Sequence, residues 1–169
     1  MTRISIRPEG PQDAPAIHEV TVAAFASVPI SQHTEQHVVR ALRAAGALTL
    51  SLVAEADGRV VGHIAFSPVT LSSGTPGWYG LGPVSVLPAY QRQGIGAALI
   101  REGLARLQTQ GARGCCLVGH PAYYPRFGFV NVPGLVHEGV PSNVFFALSF
   151  DGDYPQGEVR FHPAFHATE

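Results

Sequence analysis

Lysine is absent from this sequence of 169 residues, and all eleven of its basic residues are arginine. A phosphate-binding P-loop needs the motif GxxxxGK[ST], so the missing lysine excludes that class of nucleotide site. Charge of either sign is also scarce, because charged residues make up 14% of the chain and the net charge is −1. Such a chain has no long-range field to attract nucleic acid, and we expect no nucleic-acid partner.

Long apolar runs and cysteines are scarce as well. No run approaches the roughly 18 apolar residues of a membrane-spanning helix. The start MTRISIRPEG lacks the apolar region of a signal peptide. Cys115 and Cys116 are adjacent and cannot connect distant segments, so they indicate small apolar residues in a reducing compartment. We therefore expect a cytoplasmic, bacterial-type protein with no membrane partner.

Apolar periodicity and turn residues predict one α+β domain with a mixed sheet. A strand in TRISIRP precedes two helices, in GPQDAPAIHEVTVAAF and EQHVVRALRAAG, and a hairpin that turns at Asp57-Gly58. WYGLGPVSVLP is the fourth strand, GIGAALIREGLARLQTQG the long helix and GCCLVG the fifth strand. HPAYYPRFGF forms a short helix or turn, and FVNV and NVFFALSFDG are the last strands. The single domain spans residues 1–169, with a core over about 3–150 and an irregular tail over 151–169.

Two glycines stand at the start of the long helix, in QRQGIGA, although glycine is a poor helix former. In the simplest interpretation, Gly94 and Gly96 only form a turn. Alternatively, they keep side chains away from a helix N-terminus, whose free N–H groups and partial positive charge bind phosphate. Arg92 adds a cationic donor beside them. A dinucleotide fold does not fit, because Leu99 replaces its third glycine and GCCLVGH has no carboxylate.

The segment VSVLPAYQRQGIGAALI resembles the signature of the GNAT superfamily of N-acetyltransferases, Q/R-x-x-G-x-G/A, with Gln91, Gly94 and Gly96 at its fixed positions. The two glycines would then let phosphate oxygens touch the backbone.

The segment YYPRFGF resembles a later element of the same family, Tyr-x-x-x-Gly-Phe, through Tyr124, Gly128 and Phe129. The order of strands and helices also matches over about residues 1–150. With GHIAFSPV and LGPVSVLPAYQRQGIG, the chain is most similar to the bacterial YhbS-like branch of the family.

The resemblance implies a three-layer α/β/α fold of the α+β class. Its mixed, mostly antiparallel sheet would have splayed fourth and fifth strands and flanking helices. Acetyl-CoA would lie between these two strands, with its pantetheine arm on the backbone near Val84 and Val86 and its diphosphate on the amides of residues 92–97. No metal is implied. The implied cofactor-binding residues are Val84, Ser85, Val86, Gln91, Arg92, Gln93, Gly94, Ile95, Gly96 and Ala97.

Acetyl transfer to an amine needs a proton donor for the leaving thiolate. A phenol with a pKa of about 10 stays protonated at neutral pH and can supply that proton. The resemblance implies that Tyr124 is this catalytic acid, and the alternative is that its ring only packs under the last strands. Tyr123 is expected to pack. A backbone N–H near Val84 would stabilise the oxyanion.

The amine also needs a proton acceptor, because a lysine-like amine is free base in only about one molecule in 2,500 at pH 7. Some family members carry a glutamate on the fourth strand, but WYGLGPVSV has no acid or histidine. Glu35, His63 and His120 are candidates, and a water chain is the favoured alternative. His33 and His37 lie four residues apart but have no third ligand in pattern, so we expect no metal site.

We expect an acetyl-CoA-dependent N-acetyltransferase that acts on a primary amine of a small molecule or a protein. The alternative is a non-catalytic acyl-CoA-binding sensor or partner-binding module with the same fold. An exposed strand edge would also permit a homodimer.

Overall fold

The computed structural model describes residues 3–169, which form two β-sheets and flanking helices. The strands are β1 (Ile4–Pro8), β2 (Leu50–Ala56), β3 (Arg59–Pro68), β4 (Thr70–Leu71), β5 (Trp78–Val86), β6 (Gly114–Val118), β7 (Leu135–Val136), β8 (Phe145–Ser149) and β9 (Gly157–Arg160). The α-helices are α1 (Ala14–Phe25), α2 (Glu35–Ala44) and α3 (Ile95–Thr109). Short 3₁₀ turns cover Pro88–Tyr90, Tyr124–Phe127, Ser142–Val144 and Pro163–His166.

The main sheet has the strand order β1-β2-β3-β5-β6-β8, and β5 and β6 are its one parallel pair among the described residues. Side chains alternate between its two faces. On one face, Leu52 packs with Leu99 of α3. On the other, Val53 packs with Ile17 of α1 and Val39 of α2. These layers confirm the predicted α/β/α fold with a mostly antiparallel sheet.

The predicted fourth and fifth strands are β5 and β6, and they separate as expected. They pair only where Trp78–Gly80 faces Gly114–Cys116. Beyond that point, Gly82 and Pro83 of β5 lie opposite Ala65 of β3 in a bulge. Bulges bend a strand, and proline has no N–H to give to a neighbouring strand. β5 therefore keeps its pairing with β3 and loses β6.

Close packing of α3 on β3 directs the helix N-terminus toward the end of β5. A side chain on Gly103 would overlap the buried ring of Phe66. One on Gly62 would approach Leu99 Cδ1 to 3.1 Å. Because both positions are glycine, the helix lies directly on the strand, and its first turn reaches the splayed region.

The expectation of an irregular tail over residues 151–169 is wrong. Strand β9 lies between β4 and β7 in a three-stranded sheet, and Pro163–His166 forms a 3₁₀ turn. Val159 is fully buried, and the Phe161 ring packs against Gly80, where an added Cβ would stand 2.8 Å from it. Four residues of strand carry too little periodicity to be recognised, and their partners come from distant parts of the chain.

Two further expectations need correction. The predicted strand FVNV makes a single bridge, from Val130 to Ala147. The strand NVFFALSFDG is shorter, as β8, and is followed by β9. The strands β4 and β7, of two residues each, were not expected, since so short a segment shows no alternation.

Within residues 3–169, no helix has both the length and the apolar character needed to cross a membrane.

Candidate active site

A groove of about 550 Å³ opens at the start of α3. Gly94 caps the helix in the left-handed region, with φ of 83°, and a Cβ added to it would meet nothing within 4 Å. At Gly96 the nearest atoms to an added Cβ would be Val86 Cγ2 at 3.8 Å and the Tyr123 hydroxyl at 3.9 Å. Open space therefore lies above the first turn, where the backbone N–H groups have no partners within the helix.

Eight of the ten predicted cofactor-binding residues line this groove: Val84, Val86, Gln91, Arg92, Gly94, Ile95, Gly96 and Ala97. Ser85 and Gln93 do not. The side chain of Ser85 is buried on the opposite face of β5, and the Gln93 amide turns back to donate to the Ala89 carbonyl at 3.4 Å. Ser85 and Gln93 can therefore contact a ligand in the groove only through their backbone atoms.

Hydrogen bonds from its own side chains stabilise the loop before α3. Gln91 Nε2 donates to the Val86 carbonyl at 2.9 Å, and Gln93 makes the weaker bond described above. Between them, Arg92 has a left-handed backbone with φ of 63°. The two glutamines stabilise the loop, while the arginine between them lines the groove.

Tyr124 lies at the end of β6, where β5 has already separated. Its ring fills the space that a side chain on Gly119 would take, and it meets Phe129 edge to face at 6.1 Å between ring centroids. Burial, with a smaller effect of neighbouring Tyr123, raises the pKa of Tyr124 to about 12. Within residues 3–169 its hydroxyl has no hydrogen-bond partner. The phenol is thus a protonated donor over the whole neutral range.

A second cavity, of about 750 Å³, lies beside the bulge of β5. Leu81, Gly82 and Pro83 line it, as does Val118 at the end of β6. Most of its remaining lining comes from the start of α2, from the segment after β7 and from the tail: Thr34, Glu35, Val38, His137, Glu138, Glu158, Arg160, Phe161, Pro163, Phe165 and His166. The tail residues reach this cavity through the pairing of β9 with β4 and β7.

Only one of the three candidate bases lines this cavity. Glu35 does so, and its carboxylate accepts a hydrogen bond from the Ser31 hydroxyl at 2.8 Å. His63 is fully buried, and its Nε2 lies 2.8 Å from Ser51 Oγ. His120 is exposed after β6, where its Nδ1 accepts from the Ala122 N–H at 3.1 Å. In the described part of the chain, no three His, Cys, Asp or Glu residues are grouped as metal ligands would be.

Comparisons with known proteins identify this fold as that of an acetyltransferase. The family described as "Acetyltransferase (GNAT) domain" matches residues 48–131. The uncharacterized N-acetyltransferase YhbS of Escherichia coli strain K12 is 41% identical over 125 residues, which cover 73% of this chain and 72% of YhbS. The chain therefore belongs to the GNAT family of N-acetyltransferases.

Two solved structures agree over nearly the whole fold. A GNAT family acetyltransferase from Brucella melitensis, in complex with acetyl-CoA, is 56% identical with a TM-score of 0.87, over 96% of this chain and 98% of that chain. The structure of Escherichia coli YhbS, in complex with CoA, is 34% identical with a TM-score of 0.90, over 100% and 95%. The predicted family and the predicted YhbS-like branch are both confirmed.

The buried His63 generates a prediction about stability. Desolvation lowers its pKa from 6.5 to about 4, so folding favours the neutral ring. This contribution is complete above pH 6.5 and is lost as the pH falls through about 4, by up to about 3 kcal/mol. We expect the free energy of unfolding of the wild type to fall more steeply between pH 6.5 and 4 than that of His63→Gln. The free energies are measured by urea unfolding at each pH, and an equal change with pH in the two proteins would contradict this prediction.

Proposed function

We propose that the chain transfers an acetyl group from acetyl-CoA, bound in the groove, to a primary amine bound in the larger cavity. One observation carries the proposal: consecutive residues of a single strand line both spaces. Leu81, Gly82 and Pro83 line the cavity, while Val84 and Val86 line the groove. A thioester held along β5 in the groove would therefore present its carbonyl toward an acceptor in the cavity.

The residues of the groove fit the cosubstrate. Amides of residues 92–97 at the start of α3 would hold the diphosphate, because the helix N-terminus favours anions and the two glycines leave it uncovered. The pantetheine arm would pair with the edge of β5 near Val84, Ser85 and Val86, which β6 leaves free. The Brucella melitensis relative was solved in complex with acetyl-CoA, which supports the choice of this cosubstrate. Acetyl-CoA supplies an activated thioester there.

Tyr124 is the proposed acid. Because its pKa of about 12 lies far above neutral pH, the phenol stays protonated and can donate a hydrogen bond to the leaving sulfur as negative charge develops there. Its place at the end of β6, next to the opening between β5 and β6, supports this role. The backbone N–H near Val84 is the proposed oxyanion donor.

Glu35 is the proposed proton acceptor, in place of the water chain that the sequence favoured. It is the candidate that lines the cavity, at the first residue of α2. The cavity also carries Glu138, and a Glu158 carboxylate that pairs with Arg160 Nε at 3.0 Å. Three carboxylates against one guanidinium favour an acceptor that arrives as a cation.

The proposed enzyme is one domain over residues 1–169, since the tail supplies part of the cavity. We place it in the cytoplasm, where its two buried, unbridged cysteines remain thiols. The outer strand β1 leaves an edge at which a homodimer would form.

Gly96→Glu tests the cosubstrate site. A Cβ at Gly96 has room, and an acidic side chain in the first turn suits the helix, so the variant should fold. Its carboxylate would stand where the diphosphate binds, and we expect acetyl-CoA affinity in calorimetry to fall at least about 100-fold. Gly96→Ala is the milder control. Gly94→Val is unsuitable, because φ of 83° strains a β-branched residue. A folded Gly96→Glu variant with unchanged affinity would rule out the site.

Tyr124→Phe tests the acid. The substitution keeps the ring and removes the hydroxyl, so acetyl-CoA affinity should hold while turnover falls about 10²–10⁴-fold. CoA release is measured against a panel of amines, with Tyr79→Phe as a control that removes a hydroxyl from another half-buried tyrosine. Turnover near the wild-type value would return Tyr124 to a packing role. A wild type that binds acetyl-CoA but acetylates no amine would favour the sensor alternative.

Glu35→Gln tests the proton acceptor. With the best amine of the panel, we expect kcat and kcat/KM each to fall about 100-fold. His120→Gln, which changes an exposed residue outside the cavity, should leave both unchanged. If Glu35→Gln has little effect and the rate rises tenfold per pH unit in all three proteins, the acceptor is water.

A further inference from the structure

We propose that Tyr123 and Arg126 form a second wall of the groove and bind the diphosphate of the cosubstrate from the side opposite α3. This inference rests on the acetyl-CoA site proposed above. It assigns a binding role to two residues that the family motif, through Tyr124, Gly128 and Phe129, leaves open.

Tyr123 lies beside the first turn of α3. Its hydroxyl lies 3.9 Å from the place where a Cβ on Gly96 would stand, and Gly96 is in the first turn of α3. Tyr123 packs against the core as expected, and it also lines the groove, which Tyr124, its neighbour, does not. A phenol hydroxyl is both donor and acceptor, so it can donate to a phosphate oxygen held on the amides below it.

Arg126 is held against Tyr123 by two contacts. Its guanidinium carbon lies 4.5 Å from the centroid of the Tyr123 ring, and its Nε donates to the Tyr123 carbonyl at 2.9 Å. These two contacts orient the planar group and engage only one of its five N–H donors. Within residues 3–169 Arg126 has no carboxylate partner, so its remaining donors are available to an anion.

Charge separates the two spaces of the site. The groove contains Arg92 on the α3 side and Arg126 on the other, and no Asp or Glu is among the described residues that line it. The larger cavity instead carries three carboxylates. A dianion placed between the two arginines is favoured in the groove and disfavoured in the cavity. The chain has no lysine, so arginine must supply this charge.

Arg101 provides a matched control. Its guanidinium carbon lies 4.9 Å from the ring centroid of Phe127, in the same 3₁₀ turn, but Arg101 does not line the groove. Arg126→Gln and Arg101→Gln therefore remove the same charge and the same kind of ring contact from neighbouring places. Only the first removes a donor from the proposed phosphate site.

The experiment measures affinity by calorimetry for CoA and for dephospho-CoA, which retains the diphosphate and lacks the 3′-phosphate. We expect Arg126→Gln to weaken both by about 10- to 100-fold, the range of a charge-assisted hydrogen bond. Tyr123→Phe should weaken both by about 2- to 10-fold, the range of a neutral bond. Arg101→Gln should bind as the wild type does. Thermal unfolding checks that each variant is folded, and Arg126→Lys should recover part of the loss.

Each of the other outcomes contradicts one specific part of the proposal. If Arg126→Gln binds both ligands as tightly as Arg101→Gln does, Arg126 is not a binding residue and the inference fails, while the acetyl-CoA site stands. If its loss appears with CoA but not with dephospho-CoA, Arg126 meets the 3′-phosphate and the diphosphate assignment is wrong. If the folded wild type binds neither ligand, the proposed function itself fails.

Discussion

The separation of β5 from β6 is the constraint on which the rest of the site depends. A strand in a sheet normally hydrogen-bonds to neighbours on both sides, and an unpaired backbone edge must find other partners. Here the bulge at Gly82 and Pro83 keeps β5 paired with β3 and releases it from β6. The released edge faces a groove at one end and a cavity at the other. A ligand with amide groups along its length suits such an edge as an added strand.

Glycine contacts bring the other components to that edge. Gly103 lets α3 lie against Phe66, which directs the helix N-terminus at the end of β5. Gly119 lets the Tyr124 ring lie against the end of β6. In both cases a side chain would displace an aromatic ring from the core. The sheet thus sets the distance between the first turn of α3 and the Tyr124 phenol, and neither depends on a flexible loop alone.

The tail completes the larger cavity through long-range pairing. β9 joins β4 and β7, and the residues in and around it line the cavity with two carboxylates and several aromatic rings. The half of the site at α3 carries arginine, and the half at the tail carries mostly carboxylate. An anionic cosubstrate and a cationic acceptor would therefore be drawn to different ends of one strand.

Sequence alone determined the elements that repeat a local pattern: the hairpin at Asp57-Gly58, the three helices, β5 and β6, and the glycine turn before α3. The two motifs were enough to identify the family, because each is a short run of local residues. A helix N-terminus free of side chains likewise follows from local residues. The tertiary structure alone decided the rest. β9 has only four residues and is stabilised by burial of Val159 between distant strands, so its local pattern was too short to recognise. Tyr123 and Tyr124 are adjacent and chemically alike, and only packing around the ring of Tyr124 directs one phenol to β6 and the other to the groove.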